Sequence, residues 1–514
     1  YKNYPEEKKA DFIKTLEEWN DFSEVNNIDK TMTAKKEMAP NQQFVVYSKI
    51  MDKAGNKTYY SSTEGVVLDS YSPEIEIKEL SQSQNGIFNE NVQLQIDVED
   101  PIQGDTYSGL EKVWYTVSAS GNVNSEQETV LMDNSSNRVQ GNRVFSRKIT
   151  ISAEEYNSNN VEVNVYATDF AGNTGESKKT LKIDVTPPVI TVSWDLNDPV
   201  NGKYYKDTRT ATVTVTERNF NPDDVKYNIT NTLNNNVTFG EWTSDGNINV
   251  SDSAKSTCEI QFGCDGDYTF QPECTDLAGN FTKHETKYEF TIDKTDPEIT
   301  LAYSNEKTPE GTTATEHNDI YYDGNRTATI TFSDLNLSKN ESAFIIQLED
   351  LKVKKTYNLD KEDSIKELES LQDMKGEKVF SKVEIGDIID GEKVNENVNV
   401  NKKKFIVTLT FNGEEHYSNI GFSCKDLAGR GNSELKYSGD TSDQTNTEFV
   451  IDKTPPELEV TYGINTYDIN TNTEKFEELK GPVTNRKYTK NPVKYNIKVT
   501  ERNFPDFPGE KNNY

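Results

Sequence analysis

Hydrophobic and polar residues alternate with a period of two along most of the chain, in short runs such as Val161–Tyr166, Thr212–Val215, Cys258–Phe262, Tyr288–Ile292 and Phe405–Phe411. Successive residues of a strand face opposite sides of its sheet, so this period predicts half-buried β-strands. Clusters of Gly, Asn, Asp and Pro separate the runs, as chain reversal requires. Two stretches break the pattern. Pro5–Phe22 puts Phe12, Leu16 and Trp19 on one helical face, and Lys361–Gly376 spaces Ile365, Leu368 and Leu371 at helical intervals, so a helix is expected in each.

Three phrases recur on a larger scale. An alternating strand ending on an acid appears at Glu99, Glu217, Asp334 and Glu501, in LQIDVEDP, VTVTERNFNP, ITFSDLNL and IKVTERNFP. A turn phrase reads DKAGN from Asp52, DFAGN from Asp169, DLAGN from Asp276 and DLAGR from Asp426. A junction phrase follows each turn: LDSYSP from Leu68, IDVTPP from Ile183, IDKTDP from Ile292 and IDKTPP from Ile451. The intervals are roughly 110 residues, except the last, which is about 45 residues longer. Proline cannot donate to a ladder, so the last phrase marks boundaries. The expected units are 1–69 (partial, with the helical segment), 70–184, 185–293, 294–452 (with an insertion near 350–400) and 453–514 (partial). Incomplete units at both ends imply a longer array.

Composition sharpens this. Only 33% of the 514 residues are hydrophobic, yet 10% are aromatic, which fits several small cores better than one large one. With 56 basic and 87 acidic residues the net charge is −31, unfavourable for approach to nucleic acid or an anionic membrane. No run approaches the ~18 consecutive apolar residues of a membrane helix.

About seven short strands per repeat suit an immunoglobulin-like sandwich. In DxAGN the Asp can bond backbone two residues on, and Gly and Asn tolerate positive φ where the chain reverses between the last two strands. Tyr268, and Tyr417 in the next repeat, stand where a tyrosine corner would cap the crossing between sheets. The phrases resemble the bacterial immunoglobulin-like (Big) repeats of large surface-exposed proteins, over about residues 42–504. The resemblance implies an all-β chain: tandem immunoglobulin-like β-sandwich domains in an extended array, with a helical insertion in the fourth unit and a helical N-terminal stretch. Such modules serve as stalks, adhesin arms and enzyme spacers. The sequence departs from the pattern at Arg430, where the other turns have Asn, and at Ser70 and Ser72 around Tyr71.

Catalytic signatures are missing. The three histidines form no metal-binding pair, and there is no GxSxG, phosphate loop or dinucleotide fingerprint. Cys274 and Cys424, each two residues before the turn Asp, read as buried free thiols, while Cys258 could bridge to Cys274 or Cys264. Trp242, Tyr204, Tyr205, Tyr321 and Tyr322 are candidates for a sugar-stacking platform or for core and edge packing.

The acids are the most pointed feature. In the sandwich, the loops after the second and sixth strands lie at the end where the chain enters. Three acids should therefore converge at each junction: Asp69, Glu99 (with Asp100) and Asp169; Asp184, Glu217 and Asp276; Asp293, Asp334 and Asp426, with Asp452 and Glu501 beginning another set. Hard oxygen ligands suit Ca²⁺. Alternatively the Asp residues cap turns and Glu217 pairs with Arg218, Arg209 or Arg326. The expected function is a non-catalytic stalk or adhesin arm of a bacterial surface or secreted protein, a monomeric array in the extracellular space. A module binding a host or plant glycan or a surface protein, and the spacer of a secreted carbohydrate-active enzyme, are the alternatives.

Overall fold

A computed structural model describes residues 14, 41–44, 47–61, 65–104, 106–119, 127–136, 142–245, 254–305, 316–317, 320–437, 447–478 and 492–503. The N-terminal helix expected around Phe12, Leu16 and Trp19 lies outside these, apart from helical Lys14. The rest is almost entirely β.

Three hydrophobic cores are confined to successive stretches of chain, Phe88–Ile183, Ile190–Ile292 and Ile299–Ile451. In the first, a sheet of Glu74–Glu79, Val92–Glu99 and Val144–Ile151 faces one ordered Thr174–Ile183, Ser158–Asp169, Leu110–Ala119, Thr129–Asp133. Alternation does the work: Val92, Leu94, Ile96 and Val98 point into this core while Gln93 and Glu99 point out. The next stretch repeats the plan. Val189–Trp194, Arg209–Thr216 and Lys255–Phe262 pair antiparallel, and Tyr204–Tyr205 runs parallel to Tyr288–Ile292 in the facing sheet.

The long repeat keeps its extra residues inside the sandwich. Val353–Asn358 adds an edge to Ala343–Leu348, and both Phe380–Ile385 and Ile389–Lys393 pair with Asn401–Phe411. Between them a helix runs Glu362–Glu369, and its Leu368 joins Tyr357, Leu359, Val379 and Phe380 in the core. Ile365 and Leu371 are half-buried.

Tyrosine corners close two repeats: Tyr268 donates its hydroxyl to the Cys264 carbonyl at 2.8 Å, and Tyr417 to that of Gly413 at 2.8 Å. Arg209 and Arg326, each opening an R-T-A-T strand, lie among aromatic rings. Arg209 sits 3.9, 4.3 and 4.9 Å from the ring centres of Trp194, Tyr205 and Phe290. Arg326 sits 3.9, 4.4 and 4.7 Å from those of Tyr303, Tyr322 and Phe449. A buried guanidinium is stabilised by the negative ring faces. These arginines thus serve the cores, where the sequence had suggested partners for Glu217. Of the candidate aromatics, Tyr205 and Tyr322 are buried on these arginines, Trp242 is half-buried and packs on Phe220 at 4.8 Å, and Tyr204 and Tyr321 are half-buried. Cys258, Cys264, Cys274 and Cys424 are all free thiols, and only Cys264 is exposed.

Candidate metal centres at the repeat junctions

Each junction begins where the last strand of one repeat ends. The amide of Asp184 donates to the Phe88 carbonyl at 2.8 Å, that of Asp293 to Tyr205 at 2.9 Å and that of Asp452 to Tyr322 at 2.9 Å. The backbone of this Asp therefore belongs to the preceding sandwich, while its carboxylate turns to the next.

Three carboxylate clusters result, with ligand atoms all within 4.8 Å of one another: Asp69, Asp100 and Asp169; Asp184, Glu217 and Asp276; Asp293, Asp334 and Asp426. All nine residues are buried. Glu99 is the exception among the expected residues. It points outward and pairs with Arg143, and its neighbour Asp100 enters the cluster. Strand parity carries this signal: continuing the inward series Val92, Leu94, Ile96, Val98 by two reaches Asp100, just as Glu217 follows Val215 and Asp334 follows Phe332 by two. At the following junction Asn503 Nδ2 donates to Asp452 Oδ2 at 2.5 Å and its amide to Glu501 Oε1 at 3.1 Å.

Local chemistry fixes each acid. The turn Asp accepts from the backbone four residues on, Asn173 to Asp169 and Asn280 to Asp276, each at 2.9 Å. The Asn side chain then donates to the other carboxylate oxygen at 2.8 and 2.9 Å, and also to the carbonyl of Asp69 or Asp184 across the junction, at 3.2 and 2.9 Å. In the third and fourth repeats a second Asn, two residues after the strand acid, clamps the junction Asp. Asn219 Nδ2 donates to Asp184 and its amide to Glu217 at 2.9 Å; Asn336 Nδ2 donates to Asp293 at 2.6 Å and its amide to Asp334 at 2.7 Å.

The electrostatics are strained. Burial, reinforced by the neighbouring carboxylates, pushes Asp100 up to about 6, Glu217 to about 7, Asp334 to about 8 and Asp426 to about 6. Asp169, Asp276 and Asp293 are raised as well, chiefly by burial. Two buried oxygens, Asp100 Oδ1 and Asp426 Oδ2, have no hydrogen-bond partner. Arg218 pairs with Asp184 at 3.0 Å, with 5% and 0% of the two side chains exposed. An all-oxygen donor set, buried and like-charged, is what a hard divalent cation such as Ca²⁺ matches.

The two neighbouring sandwiches also touch directly. Asn85 Nδ2 donates to the Leu277 carbonyl at 2.9 Å and Asn201 Nδ2 to that of Leu427 at 2.6 Å, the same contact one repeat apart.

A family model described as a bacterial Ig-like domain matches residues 20–70 and 78–185. Among curated proteins there is no match. Among solved structures the chain is similar to one from a 1.5-MDa bacterial ice-binding adhesin, at 12% identity over 72% of this chain and 97% of that one, with a TM-score of 0.24. It is similar also to the adhesin FdeC of Escherichia coli, at 11% identity over 71% of this chain and 97% of that one, TM-score 0.23. A putative membrane anchored protein from Corynebacterium diphtheriae matches at 13% identity over 79% of this chain and 97% of that one, TM-score 0.14. The roles of the junction residues rest on the geometry above alone.

Proposed function

We propose that this chain is a non-catalytic stalk or adhesin arm of a bacterial surface or secreted protein, a tandem array of sandwiches with Ca²⁺ held in carboxylate clusters at junctions between them. The observation that carries the reading is the recurrence of one three-carboxylate cluster at three successive junctions, each drawing its first acid from the residue just after a strand that ends at Leu68, Ile183 or Ile292. A cation there joins neighbours and offsets the repulsion of a chain with net charge −31. The expected units remain 70–184, 185–293 and 294–452, with partial units on either side. Burial of Tyr205 and Tyr322 against the core arginines, and packing of half-buried Trp242 on Phe220, support a structural role for these aromatics. His284 bonds the backbone of Thr286 and His416 pairs with Glu448 at 2.7 Å, which is local packing rather than catalytic layout.

A stalk requires interchangeable repeats. Deleting residues 185–293 joins Asp184 to Lys294 and recreates an IDKT junction. The shortened chain is expected to fold, with a scattering length reduced by one repeat and the remaining melting transitions preserved. Loss of cooperative melting, or an unchanged length, would count against a modular stalk.

A further inference from the structure

The junctions are not equivalent, and the difference lies in one register position. Resting on the reading that the clusters take a cation, we propose that Asp69–Asp100–Asp169 and Asp293–Asp334–Asp426 bind a divalent cation of the Ca²⁺ class, whereas at Asp184–Glu217–Asp276 the guanidinium of Arg218 takes the cation's place.

Arg218 follows the strand acid Glu217 and reaches back into the preceding repeat. Its Nη2 lies 3.0 Å from Asp184 Oδ1 and donates to Asn157 Oδ1 at 2.6 Å and to the Ile183 carbonyl at 3.2 Å; Nη1 donates to the Asn157 carbonyl at 3.3 Å. A fixed positive charge thus sits inside the junction, and both oxygens of Asp184 are engaged, Oδ1 by Arg218 and Thr186 and Oδ2 by Asn219. A divalent cation would meet repulsion from the guanidinium and would have to displace these donors. The same register is used again by Arg502, which donates to the Ile451 carbonyl at 3.4 Å and pairs with Asp350 at 3.3 Å.

In the fourth repeat that position is Leu335. The register is secure, because Asn336 makes the two clamps that Asn219 makes. A second substitution falls on the same cluster: Arg430 stands where Asn280 donates to Asp276. Its guanidinium instead donates to Asp296 at 2.8 Å, leaving Asp426 Oδ2 buried and unpartnered. The other nearby cation, Lys402, lies 3.8 Å from Glu298. In the second repeat the residue after Asp100 is Pro101, which has no donor, and Asp100 Oδ1 is unpartnered in a residue with 0% exposure. The two clusters with an orphaned buried oxygen are thus the two without the arginine. An uncompensated buried carboxylate is costly, and a cation ligand is what would satisfy it.

Calorimetric titration of the metal-stripped full chain with CaCl₂ tests this by differences in stoichiometry. Asp426→Asn and Asp100→Asn are each expected to lose one bound ion per chain, Asp276→Asn none. Leu335→Arg should lose one and Arg218→Leu gain one. Asp426→Asn is nearly isosteric and Asp276→Asn keeps the turn's backbone bonds, so the comparison survives if either arginine exchange misfolds. If Asp276→Asn loses an ion just as Asp426→Asn does, the arginine does not substitute and this inference fails, while the junction-cation reading stands. A wild-type chain that takes up no Ca²⁺ overturns that reading itself.

Discussion

Asn280 and Arg430 occupy the same position in the turn phrase and leave opposite residues behind them. Asn280 satisfies Asp276 and the carbonyl of Asp184 together; Arg430 turns outward to Asp296, and Asp426 keeps an unpaired oxygen. In chelator, Arg430→Asn is therefore expected to stabilise the fourth repeat by about 1 kcal/mol, the usual net worth of a hydrogen bond regained by a buried group. The exposed ion pair it removes is worth little. Asn280→Ala should cost about 1 to 2 kcal/mol, read as a lower melting temperature. Arg209→Ala, by opening the ring cage on Trp194, Tyr205 and Phe290, should cost about 2 to 3 kcal/mol in the third repeat, and a loss under about 0.5 kcal/mol would mean the rings pack without it. At this scale the turn acids were legible because their partners lie four residues away in sequence. The roles of Arg218 and Arg209 were not, because their partners lie across a junction or on other strands.

At the scale of elements, two devices hold strand ends. The tyrosine corners were visible as Tyr268 and Tyr417 ahead of their strands, and Tyr417→Phe should cost about 1 to 2 kcal/mol by leaving the Gly413 carbonyl short of a buried donor. Glu415, beside it, could not be read as special from sequence. Its Oε1 accepts from the amides of Asp350 and His416 at 2.7 and 3.0 Å, while Oε2 is buried without a partner. Burial, then the charge of Asp350, pushes its carboxyl up to about 7. A raised carboxyl favours the protonated folded state, so its contribution is full below the ordinary Glu range near 4.3 and is lost as pH rises through about 7. The fourth repeat should accordingly lose stability between about pH 4.5 and 7.5. Asp334 and Asp426, raised to about 8 and about 6 in the same repeat, slope stability the same way, so Glu415→Gln should reduce that slope without abolishing it in melts followed across the range. A slope unchanged by the substitution would assign the effect elsewhere. The helical spacing in Lys361–Gly376 was legible too, but not that Leu368 would enter the main core, since the strands flanking it lack strong alternation.

Across the whole molecule, the sequence displayed the period of the array and the end of each sandwich at which acids gather. At the first junction it named Glu99 with Asp100, adjacent acids distinguished only by strand parity, and Asp100 is the one that joins Asp69 and Asp169. What it could not display was where the residue beside the strand acid would reach: Arg218, next to Glu217, turns back across the junction to Asp184 and Asn157, and no local pattern announces that. The most direct measurement of the central claim is small-angle scattering of the intact chain in millimolar Ca²⁺ and again in excess chelator, paired with thermal melting of the same samples. Cation-held junctions predict a longer, stiffer particle with higher melting temperature in Ca²⁺, both reverting on chelation. Superimposable scattering curves and identical melts would contradict the account and leave the buried acids as turn formers alone.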